Sequence, residues 1–136
     1  MDTHGNTILY SYSSFAGIQN TNQKYLSAIS YGPGAPPWGN FHFVSFRFED
    51  RADWFEDCRA GFSVRTGMRL TNVVIGTHGP ALTNHSTGDL GGGGATDYLD
   101  RMYRLSYGTN SFWSLLSSVT PVGADGASTL PSSRLS

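Results

Sequence analysis

The chain has 136 residues, enough for one domain with a buried core and too few for two. Hydrophobic residues make up 38% and charged residues only 14%; the difference is filled by 17 Gly, 17 Ser, 12 Thr and 7 Asn, together 53 positions, while aromatics at 13% argue against general disorder. Nine basic against ten acidic side chains give a net charge of −1, which removes the electrostatic footprint that nucleic acid or an anionic membrane surface would need.

Residues 1–12 carry no basic segment followed by an apolar run, so no signal peptide is read there. In residues 7–15, Ile8, Tyr10 and Tyr12 alternate with Leu9, Ser11 and Ser13, which predicts a strand. The Asn- and Gln-rich stretch 17–24 reads as a loop, and YLSAISY over 25–31 alternates again as a second strand. Three prolines and three glycines in residues 32–39 break regular structure around Trp38.

FHFVSFRF over 41–48 is the clearest strand, apolar on both faces and therefore covered on both for much of its length. Residues 49–57 hold five of the ten acidic side chains. Two readings of this stretch compete: a short helix over 51–59 capped by Asp50 and stopped at Gly61, or a returning strand; the helix is favoured. Strands at 62–65 and 68–76 are expected around a turn at Thr66-Gly67.

Residues 76–94 lack periodicity and end in four glycines, a loop of a length that is often functional. A second helix is expected over 95–105, with Thr96 as its N-cap and Leu99, Met102 and Tyr103 on one side. A terminal strand is expected over 112–119, and residues 121–136 read as a flexible tail after a single β-rich domain over 1–120. Short strands between Gly, Pro and Asn turns predict a mainly β fold, an antiparallel β-sandwich or barrel with one or two short helices; α+β is the alternative.

No catalytic set stands out. No G-x-S-x-G elbow or S-x-x-K is present, and Lys24 is isolated. The single cysteine, Cys58, rules out an internal disulfide framework, and its acidic neighbours disfavour a thiolate. Gly91 to Gly94 is not followed by the Lys and Ser/Thr of a phosphate-binding loop. His78, His85 and Asp89 lie within twelve residues and could ligate zinc or another transition metal, although the spacing fits no closed motif. Asn84-His85-Ser86 matches an N-glycosylation acceptor.

Seven Tyr and three Trp on a Ser/Gly/Asn background have the composition of a recognition surface. The expectation is therefore a non-catalytic recognition or assembly protein, binding a glycan or a protein and itself as a homo-oligomer. A virion, phage-tail or surface-appendage subunit fits the same composition. Trp38, His78, Asn84, His85, Asp89 and Tyr98 are the candidate contact residues. No cofactor, nucleic acid or membrane span is expected. The alternative is a small hydrolase or metalloprotein using His78, His85, Asp89 or Cys58.

Overall fold

The structure is a computed structural model that describes residues 3–15, 23–33, 42–78, 97–108 and 112–135. These residues form seven strands: β1 Asn6–Ser13, β2 Tyr25–Pro33, β3 His42–Asp57, β4 Val64–His78, β5 Asp97–Tyr107, β6 Leu116–Val122 and β7 Ser133–Arg134. They make one open antiparallel sheet in sequence order, each strand hydrogen-bonded to the next. The expectation of a mainly β, antiparallel fold holds. No helix occurs among the described residues, so both expected helices are corrected.

The second half of the acidic stretch continues β3, because Arg51 and Asp53, two residues apart, must share a face to make their ion pair. The stretch read as the second helix is β5. Its apparent helical spacing has a specific cause: pairing shifts by one between Ile75 and Gly76, making Asp100 an extra residue. Leu99 and Met102 therefore reach the same face three residues apart, where an unbroken strand would need two or four.

The expected turn at Thr66-Gly67 is also absent, and β4 runs through it. Here β3 departs instead, with Asp50 opposite Met68 and Phe55 opposite Thr66, so three extra residues bow outward. The amides of Gly67 and Met68 donate long hydrogen bonds to the Tyr25 hydroxyl, at 3.3 and 3.4 Å. The segment after Pro121, expected to be a flexible tail, completes β6 and returns as β7 along Ser118 and Val119. Asp125 organises that return: its carboxylate accepts the Ala127 and Ser128 amides at 3.0 and 2.8 Å, and Gly126 takes φ +69°.

Three of four one-residue sheet bulges share one chemistry. A bulge leaves a ladder carbonyl without its amide, and at these three the extra residue is a hydroxyl that replaces it. Ser27 donates to Ser11 O at 3.0 Å, Thr71 to Arg47 O at 3.1 Å and Ser117 to Ser106 O at 2.9 Å. At the fourth, the extra Asp100 accepts from the Thr77 hydroxyl at 2.6 Å. Ser27, Thr71, Thr77 and Ser117 thus serve the sheet.

The core is small and central. Phe43, Val74 and Leu99 are buried on β3, β4 and β5, with Met102 packed against them. Phe43 and Leu99 are both in register with Gly76, which lies between them. A Cβ at Gly76 would fall 2.4 Å from Phe43 Cζ and 2.6 Å from Tyr98 O, so only glycine admits the Phe43 ring across β4.

Candidate functional site

The two ends of the sheet differ in chemistry. At one end, β3 begins at His42 and β4 finishes at His78. Register sets His42 opposite Thr77, Thr77 opposite Tyr98, and His78 opposite Asp97. His78 Nδ1 lies 2.5 Å from Asp97 Oδ1, and its ring lies 4.7 Å from that of Phe43. Tyr31 stacks on His42 at 5.2 Å.

This end contains two of the sequence-predicted contact residues, His78 and the half-buried Tyr98. Trp38, Asn84, His85 and Asp89 lie outside the described residues. Asp97 can orient the His78 imidazole, but a nucleophile must also come within hydrogen-bond reach of such a base. Cys58 is not that group. It is exposed and follows the last residue of the 16-residue β3, at the opposite end of the sheet. Among the described residues no three His, Cys, Asp or Glu side chains converge as metal ligands.

The opposite end holds a denser arrangement that sequence reasoning missed. Arg51 and Asp53 project from the bowed part of β3 and form a bidentate pair, with Nε–Oδ1 at 3.1 Å and Nη2–Oδ2 at 2.7 Å. Their side chains are only 15% and 8% exposed. The Ser114 amide and hydroxyl, 61 residues away in sequence, both donate to Asp53 at 2.5 Å. Arg69 Nη1 donates to Ser114 Oγ at 2.8 Å, and its Nε donates to Glu49 at 2.6 Å. The Arg69 guanidinium also covers the Tyr107 ring at 4.7 Å, and Tyr107 donates to Leu70 O at 2.6 Å.

The Arg51 guanidinium holds the Asp53 carboxyl well below the usual carboxylate range, against its burial, with the Ser114 donors adding to the shift. The same hydrogen bond raises Arg51. Burial raises the Tyr107 hydroxyl.

This network holds Ser114, next to Phe112 and Trp113, against β3, which carries a third aromatic ring, Phe55. Trp113, beside Ser114, meets Phe55 at 6.2 Å and Phe112 at 5.1 Å, both edge-on. Arg51 lies 5.4 Å from the Phe55 centroid and so joins the network to the rings. Phe112, Trp113 and Phe55 remain 84%, 47% and 40% exposed. Beside Phe55 opens a cavity of about 300 Å³, lined also by Gln23, Asp57, Arg59, Val64 and Thr66. Rigid aromatic rings, an arginine and an adjoining hollow can receive an apolar side chain from a partner. The available sequence signal was Arg51-x-Asp53, a same-face pair on a strand and a different-face pair on a helix.

No protein-family model matches the chain, and no curated protein sequence matches it. Among solved structures, the N-terminal domain of effector protein SpvB from Salmonella typhimurium strain LT2 is similar, with a TM-score of 0.66 and 20% identity. The match covers 88% of this chain and 47% of that one, so the chain spans about half the length of the structure it resembles. At this identity the likeness shows a common fold. No helix among the described residues is long and apolar enough to cross a membrane.

Proposed function

We propose that this chain is a non-catalytic recognition domain that binds a polypeptide partner through the Phe55, Phe112 and Trp113 surface. The observation that carries the reading is three solvent-exposed rings, with Trp113 edge-on to both Phe55 and Phe112, beside a part-buried Arg51–Asp53–Ser114 network. Protein interfaces concentrate their binding energy in pre-positioned aromatic and Arg side chains. A free loop bearing two exposed aromatics loses more entropy on binding, and the Asp53–Ser114 contacts reduce that loss for Phe112 and Trp113. The likeness to an N-terminal domain of an effector protein agrees with a module that works as part of a larger assembly. In such an assembly a second layer supplied by a neighbour gives the sheet the sandwich or barrel form that its two part-apolar faces suit.

Selection of a random peptide library on the folded chain, with counter-selection on Trp113→Ala, tests this. The expected result is a set of peptides with apolar anchors that bind the wild type and lose about tenfold or more on Trp113→Ala. Glycan binding that survives Trp113→Ala, with no peptide enriched, would replace this reading with a carbohydrate-binding one.

A further inference from the structure

The sheet has two edges of unequal kind. β7 is two residues long, whereas β1 is eight and has a partner strand on one side only among the described residues. Natural proteins blunt long edges with charge, proline or a bulge. Ile8 to Ser13 contains no charged residue and no proline, and the β1–β2 bulge puts its extra residue, Ser27, on β2. Ile8, Tyr10 and Tyr12 share one face and are 60%, 58% and 61% exposed. That face continues inward, with Tyr31 opposite Ile8 and Ile29 opposite Tyr10.

We propose that a second copy of this chain pairs its own β1 antiparallel with this edge, about a two-fold axis at Tyr10. The sequence of β1 selects both the occupant and the register. Directly opposed residues of an antiparallel pair share a face. An axis at Tyr10 sets Tyr10 on Tyr10 and Ile8 on Tyr12, so every large apolar side chain of that face meets another. Moving the axis to Leu9 sets Tyr12 against Asn6, and moving it to Ser11 sets Ile8 against Ser14. In the Tyr10 register Leu9 faces Ser11 and Thr7 faces Ser13, and no like charges meet. The contact is isologous and continues the sheet through the axis. Strand pairing of this length belongs to the small interface class, so the dimer dissociates on dilution. This surface is separate from the aromatic one at Trp113, and neither proposal depends on the other.

Sedimentation velocity of the full chain over a wide concentration range is the test. The wild type is expected to pass from monomer to dimer. Tyr10→Lys, which opposes two ammonium groups at the axis, is expected to stay monomeric with an unchanged far-UV circular dichroism spectrum. In a Cys58→Ser background, Tyr10→Cys is expected to form a disulfide-linked dimer readily. Leu9→Cys should not, because its copies sit on a diagonal beyond disulfide reach. Trp113→Ala should dimerise as the wild type does. A wild type that stays monomeric at the highest concentration, a Tyr10→Lys dimer of wild-type strength, or equal trapping by Leu9→Cys overturns the proposal.

Discussion

The two ends of the sheet each carry an acid, a base and aromatic rings, yet they are built differently. At the His78 end, one contact joins His78 to Asp97, and the side chains are 35% and 14% exposed. At the Asp53 end, four donors converge on a carboxylate that is 8% exposed, and they come from β3 and from a segment 61 residues away. A pair with one partner partly exposed and a single contact contributes less to stability. A buried, fully satisfied network fixes geometry, and its loss is strongly destabilising because a charge stays behind. The contrast teaches that polar clustering alone does not mark chemistry: the denser cluster here is the scaffold for the apolar surface beside it.

Substitution can break that contrast. Asp53→Asn leaves Arg51 without its anion, and a loss of about 3 kcal/mol in urea unfolding is expected, the lower end for a broken buried pair. The effect depends on pH with a defined sign. The folded carboxyl titrates below its unfolded value, so its contribution is complete above the ordinary Asp range near pH 4 and fades as pH falls further, toward the folded value. The wild type should therefore lose more stability than Asp53→Asn between pH 5 and pH 3, as unfolding at fixed urea would reveal. Gly76→Ala, which forces a methyl into Phe43 and the Tyr98 carbonyl, is expected to cost about 2 kcal/mol by thermal or chemical unfolding.

Smaller effects sharpen the comparison. Ser27→Ala, Thr71→Val and Ser117→Ala each remove the donor that satisfies a bulge carbonyl, for about 1 kcal/mol each and nearly additively. His78→Ala should cost about 1 kcal/mol, well below Asp53→Asn, since it loses a partly exposed pair and the ring contact with Phe43. An effect at His78 as large as that at Asp53 would erase the distinction between the two ends.

Legibility in the sequence tracks the regularity of the strands. β1 and β2 are readable because residues such as Ile8, Tyr10 and Tyr12 alternate with small polar neighbours, and the first half of β3 because Phe43, Val44, Phe46 and Phe48 make both its faces apolar, where the pairing has no large irregularity. β5 reads as a helix because one inserted residue, Asp100, turns a period of two into a helical-looking Leu99–Met102 spacing. The second half of β3 misleads because its apolar residues fit either period, and the deciding Arg51–Asp53 contact is tertiary in its consequences. The return to β7 is hard to see although Asp125-Gly126 is a turn signal, because Ser is the commonest residue after that turn and no apolar alternation marks a strand there. Of the six candidate contact residues, His78 and Tyr98 share an end of the sheet. The Trp113 surface is invisible in principle, since no local pattern announces that Ser114 will reach Asp53.

Amide hydrogen exchange at Ser114 reads the support of the aromatic surface by Asp53. Strong protection of the Ser114 amide is expected in the native wild type, lost in Asp53→Asn to a far greater degree than at Val74 in the central strand. A Ser114 amide that exchanges in the wild type as fast as an unstructured peptide would contradict it, because the aromatic surface would then have no fixed support.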